Sequence, residues 1–155
     1  MTVMLRPALP RDLDALFHLE QVAFSGDRFN RRQLWHLLNR AHARTLVAEE
    51  KQCLLGYGCL LFRRRSQRAR LYSLGVHPDA RGGGVGRALV AALEEAALAH
   101  GAAEMRLEVR ADNRIALGLY RRMGFRLERW LDDYYEDGCA GWQMRKPLDA
   151  GRTAC

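Results

Sequence analysis

Apolar positions along the chain follow two different periods. Asp12 to Phe24 carries Leu13, Leu16 and Phe17 on one face, then Ala23 and Phe24, which predicts a helix. Asn30 and Gln33 have the spacing of a capping box and predict a second helix, with Leu34, Leu37, Leu38 and Ala41 facing inward. Val85, Ala88, Leu89, Ala92, Leu93 and Ala96 recur at i, i+3, i+4, i+7, i+8 and i+11. That stripe predicts a third helix, closed by His100-Gly101. Glu104 to Arg110 switches to period two, with Met105, Leu107 and Val109 on one side and Arg106, Glu108 and Arg110 on the other. Thr2–Arg6, Thr45–Glu49, Cys53–Phe62 and Ala69–Val76 also read as strands. Gly56 and Gly58 predict a bend or a close backbone approach. Asp112 stands where it could cap a fourth helix ending at Met123-Gly124. Phe125–Leu131 and Gly141–Lys146 read as a closing antiparallel pair. Gly118 inside the fourth helix costs ~1 kcal/mol relative to Ala, and close packing against the sheet is its expected reason. The predicted order is β-α-α-β-β-β-α-β-α-β-β, a mixed α/β (α+β) domain around one sheet.

Composition narrows the class. The chain has 155 residues, 48% of them apolar, which suits one soluble domain with a real core. There are no repeats and no linker. The expected domain is 1–148, followed by a short tail, 149–155. No apolar run is long enough to span a bilayer, and the first residues lack a signal-peptide core. The expected location is therefore the cytoplasm, with no membrane partner. Cys53, Cys59, Cys139 and Cys155 are scattered with no C-x-x-C pair, so reduced spectator thiols are expected, with no metal site. The net charge of +7 invites an anionic partner. Its densest run, "RRRSQRAR" from Arg63 to Arg70, lies between two strands and reads as a solvated hairpin turn. It has no aromatic interleaving and no nucleic-acid motif, so no nucleic-acid partner is expected.

"DARGGGVGRALVAALEEA", Asp79 to Ala96, places Gly82, Gly83, Gly84 and Gly86 directly ahead of the third helix. A helix's first turn presents unpaired N–H groups and the positive end of its dipole. Bare glycine backbone lets a phosphate approach those donors, and Arg81 and Arg87 add positive charge. The stretch reads as a pyrophosphate cradle, with a flexible strand-to-helix connection as the other reading. The P-loop and dinucleotide fingerprints both fail to complete here.

"RGGGVG", Arg81 to Gly86, resembles the R/Q-x-x-G-x-G/A acetyl-CoA motif of the GNAT-type N-acetyltransferases. "LYSLGVHPDAR" resembles the family's preceding strand with its V-x-P-x-x-R exit. "RLEVRADNRIALGLYRRMGF", Arg106 to Phe125, is similar to the L-E-V-R-x-x-N-x-x-A-x-x-L-Y-x-x-x-G-F signature most typical of the ribosomal-protein-alanine N-acetyltransferases. The resemblance runs from Leu71 to about Tyr135. It implies a single GNAT-type domain, a mostly antiparallel twisted sheet flanked by helices, and acetyl-CoA as cosubstrate. It also implies that the pantetheine arm pairs with a strand edge at Leu74, Gly75 and Val76, and that the pyrophosphate sits on Gly82, Gly83, Gly84, Val85, Gly86 and Arg87. Asn113, Ala116 and Tyr120 share one helix face at i, i+3 and i+7. By resemblance Asn113 and Ala116 touch the cofactor, Tyr120 is the general acid and Glu108 the general base. From pattern alone, Glu108 could equally be a strand residue paired with Arg106 or Arg110, and Tyr120 a core aromatic.

An α-amine has a pKa near ~8 and a lysine near ~10.4, so a base must take a proton before either attacks a thioester. "LDDYYEDG", Leu131 to Gly138, sets carboxylates around Tyr134 and Tyr135. It reads either as a rim that attracts an ammonium or as an acidic surface hairpin. The expected acceptor is a protein or peptide N-terminus, ribosomal proteins among the candidates, entering over the two tyrosines. A small amine, a lysine side chain, or a non-catalytic CoA- or ribosome-binding role are the other readings, for a monomer or a homodimer. Two positions depart from the family pattern. Gly83 stands where a second basic residue is common, and "AFSGDRFNRRQLWHLL" lacks the F-x-x-P-W pattern.

Overall fold

The alternation at Glu104–Arg110 is realised residue by residue: Met105, Leu107 and Val109 are buried, and Arg106, Glu108 and Arg110 reach solvent. In the computed structural model, which describes residues 3–39 and 42–148, this strand lies inside a seven-stranded sheet. The strands are β1 (Met4–Pro7), β2 (Ala43–Glu50), β3 (Cys53–Phe62), β4 (Arg68–Val76), β5 (Glu104–Arg110), β6 (Arg126–Leu131) and β7 (Gly141–Pro147). The helices are α1 (Leu13–Ala23), α2 (Arg31–Asn39), α3 (Val85–Ala99) and α4 (Arg114–Arg122). The predicted element order is the observed one. Thr2, Ala41, Cys155 and the tail 149–155 lie outside the described residues. None of the described helices is long and apolar enough to cross a membrane.

The strand order is β1-β2-β3-β4-β5-β7-β6. All neighbours are antiparallel except β4 and β5, which α3 connects as a parallel pair. The closing pair β6–β7 forms, with β7 inserted between β5 and β6.

Leu16 and Leu19 of α1 and Leu34 and Leu37 of α2 pack on Val47, Tyr57 and Cys59. Val90, Leu93 and Ala97 of α3 and Tyr120 of α4 pack on the other face, against Leu60, Ala69, Leu71, Met105, Leu107 and Met144. Gly56 and Gly58 provide the predicted close approach. A Cβ on Gly58 would stand 2.5 Å from Leu93 Cδ1, and one on Gly56 would stand 2.9 Å from the Gly75 carbonyl. The cluster under α1 and α2 takes nothing from β5, β6 or β7, so among the described residues the corresponding face of that half of the sheet is left open.

Three local expectations need correction. Asn113, not Asp112, caps α4, its Oδ1 accepting from the Ala116 N–H at 3.1 Å. Asp112 instead turns to Arg110, whose charge outweighs what a cap would gain. Ala88 is exposed, so the stripe of α3 narrows to Val85, Leu89, Leu93 and Ala97 with Val90 beside it. A Cβ on Gly118 would meet the flexible end of Arg122 at 3.1 Å, not the sheet.

The feature that shapes the site is in β4. Leu60 pairs with Leu71 and Cys59 with Ser73, which leaves Tyr72 as an extra residue. Such a bulge bends its strand and shifts the alternation. Accordingly β4 pairs with β5 only from Arg68 to Leu71, against Glu104 to Leu107. Beyond that point β4 stays with β3 and β5 with β7, and the two parallel strands part.

Candidate active site

On the α3 side of the parting strands, Gly82 and Gly84 both adopt φ +85°, a left-handed conformation that favours glycine. Gly84 is the N-cap of α3, and the first bond the helix closes runs from the Ala88 N–H to the Gly84 carbonyl at 3.0 Å. The N–H groups of Val85, Gly86 and Arg87 therefore belong to the unpaired first turn. A Cβ at Gly82 or Gly84 would meet nothing within 4 Å, so bare backbone faces open space there. This donor-rich, side-chain-free surface fits a diphosphate. Arg87 is exposed at the same turn, whereas Arg81 points elsewhere. Its guanidinium donates to the Ala23 carbonyl (2.8 Å) and the Val76 carbonyl (3.3 Å), stitching the end of α1 to the exit of β4.

Leu74, Gly75 and Val76 lie on the stretch of β4 that has left β5, so among the described residues one edge of that backbone has no strand beside it. Gly75 is held from below: a Cβ there would press on Phe24 at 2.9 Å and Tyr57 at 3.3 Å. Beneath this edge runs a buried chain that the sequence reading missed. Glu20 is 1% exposed, accepts from the Phe29 N–H (2.9 Å) and the Tyr57 hydroxyl, and Tyr57 in turn meets Ser73 Oγ at 2.9 Å. Burial raises the Glu20 carboxyl above its ordinary value, and burial with the neighbouring Glu20 raises the Tyr57 phenol well above its own. No local signal betrays this chain, because its members come from α1, β3 and β4.

Glu108 stands on β5 just beyond the last residue that pairs with β4. It is bound neither by Arg106 nor by Arg110 but by Arg70 of β4, whose Nε donates to its Oε1 at 2.7 Å and whose Nη2 also reaches it. The alternative reading of Glu108 as a strand residue pairs it with a neighbour on the same strand. Register decides otherwise, since Arg70 lies opposite Arg106 across the parallel pair. Arg110 is engaged by Asp137 (2.6 Å), Asp112 (3.1 Å) and Asp27 (3.5 Å).

Tyr120 projects from α4 into the core, 7% exposed, edge-on to Phe125 with centroids 5.7 Å apart. Its hydroxyl makes no hydrogen bond among the described residues. Burial, with a smaller contribution from Tyr135, pushes the phenol up, so it keeps its proton at neutral pH. Tyr134 and Tyr135 meet edge to face at 5.0 Å. Burial raises both phenols and Glu108 adds to each; Arg70 opposes the effect at Tyr134, and Arg110 at Tyr135. Glu108, Tyr134 and Tyr135 thus lie near one another past the end of the β4–β5 ladder, while Tyr120 stays in the core and meets this group through Tyr135. Asn113 and Ala116 share the Tyr120 face of α4, with the Asn113 oxygen committed to the cap.

On the open face of the sheet lies a cleft of about 600 Å³, with Glu108, Arg70 and Tyr134 in its wall beside Leu131, Gln143 and Arg129. The acidic rim does not line it. Asp132 accepts from Trp130 Nε1 at 2.7 Å and Asp137 is held by Arg110. Cys53 and Cys139 are free thiols; Cys59 is buried and accepts from Thr45 Oγ1 at 3.3 Å.

A glycine cradle at a helix N-terminus, set beside parallel strands that part, defines a class of enzyme. Residues 13–125 match the acetyltransferase (GNAT) family, and the chain belongs to that family of acetyl-CoA-dependent N-acetyltransferases. Acetyl-CoA is the cosubstrate. The ribosomal-protein-S18-alanine N-acetyltransferase from Escherichia coli is similar in structure, with TM-score 0.87, 24% identity, and 96% of this chain and 95% of that chain covered. Ard1 from Thermoplasma volcanium matches with TM-score 0.88 and 22% identity over 96% and 99% of the two chains. A PaiA N-acetyltransferase from Thermoplasma acidophilum, solved in complex with coenzyme A, matches with TM-score 0.80 and 20% identity over 95% and 99%.

Proposed function

We propose that the protein acetylates the N-terminal α-amine of a protein or peptide, with Glu108 as general base and Tyr120 as general acid. The observation that carries this reading is the position of Glu108, one residue past the end of the β4–β5 ladder and in the wall of the cleft that Tyr134 also lines. Leu74, Gly75 and Val76 would hold the pantetheine arm. The backbone of Gly82 to Arg87 would hold the diphosphate, flanked by Asn113 and Ala116. Acetyl-CoA supplies an activated acyl carbon and a thiolate leaving group.

Glu108 takes the proton that the attacking amine loses as its nitrogen bonds to the acyl carbon. Tyr120 gives its proton to the sulfur as the C–S bond breaks. A raised phenol serves that role, because it stays protonated until the thiolate appears. Backbone N–H groups on the unpaired edge of β4 would stabilise charge on the carbonyl oxygen. An α-amine suits a carboxylate base better than a lysine does, since it is less firmly protonated near neutral pH. The likeness to a ribosomal-protein-S18-alanine N-acetyltransferase supports a protein acceptor. The cytoplasm is the proposed compartment, in keeping with free thiols at Cys53 and Cys139.

The test compares free-N-terminal peptides, the same peptides N-blocked but carrying lysine, and polyamines. The expected result is at least a tenfold higher kcat/KM for free N-termini, ~1.4 kcal/mol of discrimination. Preference of that size for blocked lysine peptides or polyamines overturns the acceptor assignment.

A further inference from the structure

Resting on the acceptor reading above, we infer that the acceptor carries a negative charge close to its reacting amine, and that Arg129 and Arg63 bind that charge. The cross-strand register sets the geometry. Glu108 pairs with Gln143 of β7, and Gln143 pairs with Arg129 of β6, so the three form one row across the open face of the sheet. Two strand spacings separate Glu108 from Arg129, about 10 Å at the backbone. Both line the same cleft, and Arg63 enters it from the β3–β4 turn.

The carboxylates on this face are already taken. Glu108 holds Arg70. Glu104 faces Arg68 at 2.7 Å, with Arg145 at 3.4 Å, and Glu128 faces Arg145 at 3.4 Å and Arg106 at 3.6 Å. Arg106 Nε is buried and reaches Glu104 only at 3.3 Å, out of hydrogen-bond geometry. Arg63 and Arg129 have no carboxylate partner among the described residues, so the cleft keeps uncompensated positive charge beyond its one glutamate. A plain cationic acceptor would meet repulsion there. An acceptor with a carboxylate one or two residues from its amine, at about 3.3–3.6 Å of reach per residue and about 2.8 Å for the charge-assisted hydrogen bond at each end, spans the distance from Glu108 to Arg129 and satisfies both ends. For a peptide, this means Asp or Glu at the first or second position.

The experiment measures kcat/KM for matched peptides with Glu, Ala or Lys at the second position. In parallel it measures small amines with and without a carboxylate two to three bonds from the nitrogen. The expected result is a Glu-to-Lys ratio of at least ten that shrinks on raising salt, since exposed charges are screened. The double variant Arg63→Glu/Arg129→Glu should bring the ratio to one or below, and Arg63→Lys/Arg129→Lys should retain most of it. Peptides acetylated with no preference for Glu, or with a preference that the charge reversal leaves untouched, overturn this inference while sparing the N-terminal reading. Blocked peptides, polyamines or small amines acetylated in place of free N-termini remove that reading. The inference then stands only if the carboxylated amine is preferred. Acetyl transfer to none of these acceptors removes both.

Discussion

The two sides of the parting strands are built from different materials. The α3 side is backbone: left-handed Gly82 and Gly84, the unpaired first turn of the helix, and a strand edge at Leu74–Val76. The open side is side chain: Glu108, Arg70, Tyr134 and Arg129, drawn from four strands and loops. A backbone cradle suits a cosubstrate whose phosphates are the same in every turnover. A side-chain wall can be changed residue by residue, and so can set which amine is accepted. The first side depends on glycines close together in the chain. The second depends on register between segments far apart.

Glu108→Gln is the sharpest test of the side-chain side. Turnover should fall by roughly 10²–10⁴, most at low pH where the amine is protonated, with acetyl-CoA affinity unchanged. An unchanged pH–rate profile would take the base role from Glu108.

On the backbone side, Gly84→Val places a side chain on the first glycine of the cradle motif. A Cβ there meets nothing within 4 Å, and the strain of a side chain at φ +85° is read separately as a fall in Tm. Acetyl-CoA binding of the folded variant, measured by calorimetry, should weaken about 10–100-fold, ~1.4–2.8 kcal/mol. Equal affinity in the folded variant would mean the diphosphate lies elsewhere.

Tyr120→Phe probes the seam between the two. Because its hydroxyl has no hydrogen bond to lose among the described residues, the variant should fold normally and bind acetyl-CoA as the parent does, while turnover drops about tenfold or more. Loss of binding with intact turnover per bound complex would make Tyr120 a packing residue only.

The smallest effect concerns the buried chain under the edge. Burial raises the folded-state value of the Glu20 carboxyl above its ordinary 4.5. The protonated form's contribution to stability is therefore full below about pH 4.5 and is lost as pH rises through the raised value. Glu20→Gln carries no such charge, and its amide can still accept from Phe29 and donate to Tyr57. The Tm advantage of the variant over the parent should grow on going from pH 4.5 to neutrality, by about 2–4 °C per kcal/mol. A difference that stays flat with pH would show that Glu20 is not the group titrating.

Much of the fold was legible because it is local. Periodicity located the helices and strands to within a few residues, since each buries a stripe whose spacing is its own geometry. The misplacements were local competitions decided by neighbours. Asp112 lost the cap to Asn113 because Arg110 stood within reach, and Ala88 lost its place inside because α3 rests on Gly56 and Gly58 along a narrower line.

The sequence by itself determined the glycine cradle, the strand that carries Glu108 and the helix face that carries Tyr120. Each needs only residues within one turn or one strand, where chain connectivity fixes the distances. Tertiary structure alone decided what those residues meet. The bulge at Tyr72 parts β4 from β5, register brings Arg70 to Glu108 and lines Arg129 up beyond Gln143, and packing buries Glu20 under Ser73. Those contacts join residues tens of positions apart. No local pattern encodes them, because they exist only once the sheet has chosen its pairing and the helices have covered one half of it on both faces and the other half on one.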